Sequence, residues 1–369
     1  MRDMIVFSNH TSAVPSSSLH LIKCLRNVGK VVWVDIQHTG SPLNSPWQSN
    51  TAEHILGKLN QDEQHQRFAY NKHHFVQVKN VPRIQSAKDR ENAIHRILQS
   101  LKPLLNKYRI SSPIVWTSEP YIADLLNHLS GASLVYYCNE EAEAHLGTDP
   151  QLIFEQEQTM VRNANIIFGS SDIICSRFPR NKTLLLPHGV DAELFCQPTM
   201  VASDMPKQAK PIAGFYGVLD QKIDYQLLHY TALNLPNWNF VFIGANLLPY
   251  YPLPRLNNIH YLGPKHHCDL PSYSQHWQAS LLPYKSAIEP LSVIQTTLLE
   301  YLAVGAPVIT TPAHSIESYA KYINVVESAH EMSEALKLAT YEQKTPSDIV
   351  ISDTWQVRSQ FVSRILDSL

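Results

Sequence analysis

With 369 residues, 44% of them hydrophobic and 17% charged, the chain has the composition of an ordinary globular protein and the length of two domains. A formal net charge of −2 removes the case for nucleic-acid binding through bulk charge. Its five cysteines are scattered and odd in number, with no C-x-x-C and no Cys/His metal spacing, which argues against a disulfide framework and for a reducing compartment.

The opening stretch "MRDMIVFSNHTS" reads as a short strand running into a polar loop. Its apolar run is too short for a signal peptide, and nothing downstream reaches membrane-spanning length, so the expectation is a cytoplasmic protein whose only membrane contact would be peripheral, on the inner face of the cell membrane. "MIVFS" (4–8) predicts a strand, 17–28 a helix, "VVWVDI" (31–36) a strand and 87–107 an amphipathic helix. "SPIVWTS" (112–118), "SLVYYCN" (133–139), "NIIFGSS" (165–171) and "KTLLLPHGVD" (182–191) predict strands, with helices over 120–129 and 150–164. Continuous apolar strands separated by helices indicate a parallel sheet covered on both faces. The stretch 196–210, with two prolines and no periodicity, reads as a linker. The alternation then restarts, with strands at 212–219, 239–245, 259–263, 279–284 and 306–311, and the tail 352–369 is an amphipathic helix. The fold class is therefore α/β, with two Rossmann-like, doubly wound domains. The first is expected over 1–195 and the second over 211–351, with the tail helix returning to the first. Ligands of such sheets bind beyond the carboxyl ends of the strands.

One carboxylate is out of place in this pattern. Glu300 sits among Leu298, Leu299, Leu302 and Ala303 in "TTLLEYLAVGAPVIT" (296–310), where an unpaired buried charge is costly. It either faces solvent on a narrow polar strip or has a partner. Gly217, directly after a strand in "IAGFYGVLD", is suited to close approach of a phosphate to the main chain, with Asp220 nearby. Asp191 is placed to cap the turn that follows it. The adjacent histidines of "NKHHF" (71–75) and "PKHHCD" (264–269) lack the spacing of a metal site, and no metal is expected.

The segment "PYKSAIEPLSVIQTTLLEYLAVGAPVITTP" (283–312) resembles the donor-binding segment of glycosyltransferases of the GT-B fold. The likeness is to a bacterial subgroup with the pattern E-Y-L-A-x-G-x-P-V, distantly similar to the xanthan glucuronosyltransferase and to retaining group 1 enzymes. "LLLPHGVDAELF" (184–195) looks like the hinge segment of the same fold, with His188 where Asn is usual. The resemblance implies two Rossmann-like domains facing a cleft, a first domain that binds acceptor and a second that binds a nucleotide-sugar, most simply a UDP-sugar. It implies that Glu300 holds the ribose diol, that Gln295, Thr296 and Thr297 lie near a helix N-terminus suited to a diphosphate, and that Tyr284, Lys285 and Glu289 flank the donor. Gly263 would precede the loop beside the nucleobase.

In "LVYYCNEEAEAH" (134–145) the subgroup carries an acidic pair at a strand end; Glu140 and Glu141 take its place, Glu140 as general base and Glu141 as reserve. His10 is the acceptor-side candidate. Two positions depart from the pattern. The phosphate-binding Lys of the subgroup falls on Thr297, and Ser292 stands where retaining members have a second Glu eight residues before Glu300. The implied reaction is therefore inverting, without cofactor or metal, on a glycan or lipid-linked hydroxyl in surface polysaccharide or glycolipid assembly. The alternatives are a nucleotide-sugar epimerase and a catalytically degenerate glycosyltransferase-like subunit.

Overall fold

The computed structural model describes residues 1–7, 16–39, 73–139, 150–207, 210–285, 291–341 and 347–369, the side chains of 150, 291–294, 314 and 315 excepted. The chain divides into two compact units, Met1–Pro187 with Arg358–Leu369, and His188–Val357.

The first unit is built on a seven-stranded parallel sheet. In chain order its elements are β1 (Arg2–Phe7), α1 (Ser17–Lys23), β2 (Val28–His38), β3 (His73–Val81), α2 (Ala87–Tyr108), β4 (Ile114–Thr117), a 3₁₀ helix (Pro120–His128), β5 (Ser133–Cys138), α3 (Pro150–Asn163), β6 (Ile166–Gly169), α4 (Asp172–Ser176) and β7 (Thr183–Leu185). The strand order is β3-β2-β1-β4-β5-β6-β7. The central strands are apolar throughout because helices cover both faces: Met4–Phe7 of β1 and Ile114–Trp116 of β4 are at most 2% exposed. Helix α2 buries one stripe, Ala93, Ile94, Ile97, Leu98, Leu101 and Leu105, spaced as a helix facing a core must be. Ser86 caps its start by accepting from the Asp89 N–H, and Arg109 closes it in the left-handed region.

The second unit holds α5 (Ala192–Cys196), β8 (Ile212–Tyr216), α6 (Tyr225–Asn234), β9 (Asn239–Ile243), β10 (Ile259–Tyr261), α7 (Pro271–Ser274), β11 (Ala279–Leu282), α8 (Leu291–Val304), β12 (Val308–Thr310), β13 (Ile323–Val325) and α9 (Ala329–Ala339). Its six parallel strands run in the order β10-β9-β8-β11-β12-β13, so the winding reverses between β8 and β11. The last helix, α10 (Trp355–Leu366), contributes its residues from Arg358 onward to the first unit. There Phe361 meets Phe168 edge-on and Ser359 Oγ donates to the Cys24 carbonyl. Among the described residues no helix is long and apolar enough to cross a membrane.

The division of the chain falls between Pro187 and His188, upstream of the stretch 196–210 read as a linker. Most of that stretch is fastened into the second unit by side chains. Gln275 accepts from the Thr199 N–H and Oγ1 and donates to the carbonyls of Phe195 and Gln197, while Met205 is buried. A segment held by side-chain to backbone bonds has no periodicity to read, and for that reason it looked like a spacer.

Candidate active site

Three glycines end three neighbouring strands of the second unit. Gly217 follows β8, Gly244 follows β9 and Gly263 closes the turn after β10, all with positive φ (155°, 141° and 69°). The Gly217 N–H donates to the Ile243 carbonyl and the Gly244 N–H to the Gly263 carbonyl. A Cβ on Gly244 would lie 1.7 Å from the Gly217 carbonyl oxygen, so the two backbones pass too closely for any side chain. Gly263 has nothing within 4 Å of where a Cβ would stand. The result is a lip of bare main chain at the carboxyl ends of three strands. Gly244 was not singled out from sequence, although "FYG" (215–217), "FIG" (242–244) and "YLG" (261–263) repeat one strand-end pattern.

Across the reversal point, the loop after β8 is stitched to the end of β11. The Asp224 N–H donates to the Pro283 carbonyl, the Lys285 N–H to the Lys222 carbonyl, and Ile223 and Tyr284 form an antiparallel bridge. This brings the sequence-predicted Gly217, Asp220, Tyr284 and Lys285 to one place. Asp220 folds its own turn, its Oδ1 accepting from the Lys222 N–H. Tyr284 is a core residue, its ring edge-on to Phe215; burial, with the Asp220 charge, pushes its phenol well above the usual tyrosine range. Lys285 is exposed.

Glu300 lies on α8 and is 4% exposed, so the narrow solvent-facing strip is ruled out. Its partner is His267, itself 5% exposed, whose Nε2 stands 2.5 Å from Glu300 Oε1. With the carboxylate ionised, the imidazole carries its hydrogen on Nε2 and donates it. His267 opens a 3₁₀ turn ahead of α7, and its ring meets that of Phe195 edge-on. Tyr216 and Tyr301 complete the surroundings. The Tyr216 N–H donates to the Tyr301 hydroxyl at 3.0 Å, which binds α8 to the end of β8. The Tyr216 hydroxyl is buried beside Glu300; burial first, then the Glu300 charge, raises its pKa well above the tyrosine range.

Helix α8 begins at Leu291, one turn earlier than the sequence suggested. Gln295, Thr296 and Thr297 are therefore in its second turn, where main-chain N–H groups are engaged inside the helix, and the uncommitted N–H groups belong to the turn before them. Thr297 is buried and Gln295 and Thr296 are half-buried. Glu289, Glu140, Glu141 and His10 lie outside the described residues. In the first unit, β5 ends on buried Cys138, followed by buried Asn139, just before Glu140 in the chain. Burial pushes the Cys138 thiol up to about 11, which makes it a packing group rather than a nucleophile. Asp191 caps α5 by accepting from the Leu194 N–H. Among the described residues no group of three or more His, Cys, Asp and Glu is placed to hold a metal ion.

No protein-family model matches the chain. Over 236 residues, 57% of its length, it is 25% identical to the putative teichuronic acid biosynthesis glycosyltransferase TuaH of Bacillus subtilis strain 168, and the match spans 59% of that relative. Among solved structures, HepE of Anabaena in complex with UDP and glucose is similar over the whole of both chains, with a TM-score of 0.68 at 12% identity. A glycosyltransferase from Rickettsia africae gives 0.67 at 12% identity, covering 100% of this chain and 98% of that one. An Escherichia coli trehalose-6-phosphate protein bound to UDP-2-fluoro glucose gives 0.61 at 11%, covering 100% and 99%. The fold is thus that of the GT-B glycosyltransferases, two Rossmann-like domains with parallel sheets.

Proposed function

We propose that this protein is a glycosyltransferase that moves a sugar from a UDP-sugar to a hydroxyl of a glycan or lipid-linked acceptor, in bacterial surface polysaccharide or glycolipid assembly. The observation that carries the proposal is Glu300. It is a carboxylate 4% exposed, on the helix beside the reversal point of a GT-B donor-type sheet, where packing alone would place a hydrophobe. Its role is to accept hydrogen bonds from the two ribose hydroxyls. The bare glycine lip lets the nucleotide approach the main chain, and the first-turn N–H groups of α8 face the diphosphate. The printed names of TuaH and HepE support the sugar-nucleotide class and the link to cell-surface polymers.

The chemistry proposed is an inverting displacement without a metal. The acceptor oxygen forms a bond to the anomeric carbon as the carbon–phosphate oxygen bond breaks. Its proton passes to Glu140, and UDP leaves with its charge spread over helix N–H groups and Lys285. Ser292, in place of a second glutamate, supports inversion. A second reading, a binding subunit without turnover, is favoured by Thr297, which cannot supply the charge of the usual lysine.

Calorimetry with UDP and turnover with UDP-sugars test both. The wild-type chain binds UDP, and Glu300→Ala weakens it about ten- to hundred-fold, the loss expected for hydrogen bonds to a charged group. Glu140→Gln abolishes transfer and keeps UDP affinity. Binding without transfer by the wild-type chain selects the subunit reading. No thermal shift with UDP, GDP, dTDP, ADP or CMP sugars overturns the proposal, since a ligand at a hundred times its Kd stabilises by about 2.7 kcal/mol.

A further inference from the structure

We infer that His267 is the positioning residue of the donor site: it takes one oxygen of Glu300 and thereby aims the other at the ribose. The inference rests on the reading of Glu300 given above and extends it to a residue on a different element. A carboxylate on a helix can turn about its last torsion, and a ligand-binding carboxylate that turns loses its directional preference for a diol. Glu300 Oε1 is fixed by His267 Nε2 at 2.5 Å, with both side chains buried. With one oxygen fixed in this way, the plane of the carboxylate is fixed as well.

The histidine is itself held. Its ring stands edge-on to Phe195, 5.4 Å between centroids, and the turn that carries it is bound on both sides. Lys265 upstream and Tyr273 downstream clasp Asp204 at 2.6 and 2.8 Å, and further downstream the His276 ring bonds the Thr199 carbonyl at 2.8 Å. Thr199 and Asp204, within the stretch 196–210 read as a linker, therefore serve as the backing of this turn. A carboxylate whose plane is fixed by a rigid imidazole is an arrangement that selects ribose over deoxyribose. Packing alone gives no reason for such selectivity.

The test compares UDP with 2′-deoxy-UDP by calorimetry, because the ratio of their affinities reports aim rather than fold. In the wild-type chain UDP binds more tightly, by about ten-fold or more for one hydrogen bond to a charged group. His267→Ala brings the ratio close to one, His267→Gln, whose amide reaches the same point, restores most of it, and Glu300→Ala removes it. Should the alanine variant fail to fold, His267→Asn, too short to reach Glu300, serves in its place. A ratio kept in His267→Ala or His267→Asn but lost in Glu300→Ala overturns the inference and leaves the ribose reading standing. A ratio kept in Glu300→Ala, or no UDP binding by the wild-type chain, overturns both.

Discussion

The two units share a construction and differ in what they bury. Each is a parallel sheet with apolar strands between helices. Among the described residues, the buried polar groups of the first unit are uncharged: Ser17, Ser18, Thr117, Ser133, Asn139, Gln156, Ser170 and Ser359. Several serve the frame, as Ser18 does in accepting from Trp116 Nε1 at 2.9 Å. The second unit buries a carboxylate and an imidazole against each other. A buried carboxylate is a poor stabilising device, because its desolvation offsets most of what a hydrogen-bond partner returns. The contrast therefore separates a frame from a site: the polar groups kept for folding are of uncharged types, and the carboxylate with its imidazole partner is kept for a ligand.

The largest expected effect would break this contrast most directly. His267→Ala leaves a buried carboxylate without its partner and destabilises the second unit by about 3–5 kcal/mol. Replacing both, His267→Leu with Glu300→Leu, returns stability to within about 1 kcal/mol of wild type or raises it, while UDP binding is lost. Urea denaturation with the transition of each unit assigned separately is the measurement. A double variant as unstable as the single one would make the pair part of the frame, and the contrast would fall.

Glycines at strand ends give the next comparison. Gly244→Ala forces a positive φ on alanine and sets its methyl against a carbonyl oxygen, so it costs at least about 2 kcal/mol. Gly169 ends β6 of the first unit; its added methyl would meet the Cys175 Sγ at 2.7 Å, which can turn aside, with the Cys175 main-chain N at 3.1 Å and Ile174 Cγ2 at 3.2 Å giving by a few tenths of an ångström. Gly169→Ala therefore costs about 1 kcal/mol or less. Thermal denaturation of the two variants separates these values, and equal losses would show that the glycine lip owes nothing to close backbone approach.

The sheet centres were legible because burial on both faces demands unbroken apolar runs, as in Met4–Phe7 or Phe240–Ile243. The edges were not. β3 alternates exposed Gln77 and Lys79 with buried Val78, and β13 is three residues long, so neither carries the signal of a central strand. Glu300 was legible as an anomaly, since one charge in an apolar helix must be explained. His267 was not, because its partner lies 33 residues away and "PKHHCD" reads equally as a polar loop. The two histidines lack the spacing of a metal site, and only the fold shows one of them turned toward a carboxylate.

The smallest effects belong to the helix caps, where the two units should behave alike, and small differences there test whether the contrast is confined to the buried pair. Ser86 accepts from the Asp89 N–H at 3.2 Å and donates to Asp89 Oδ2 at 2.7 Å. Ser328 accepts from the Glu331 N–H at 3.2 Å, while Glu331 independently takes the Glu327 N–H at 2.7 Å. Ser86→Ala loses two bonds and costs about 1 kcal/mol; Ser328→Ala loses one and costs about 0.5 kcal/mol. Neither change moves UDP affinity, because each acts on a helix start far in sequence from Glu300 and His267. A cap variant of the second unit that weakened UDP binding would mean that the site depends on the general stability of its unit. In that case the argument from the buried pair would lose its specificity.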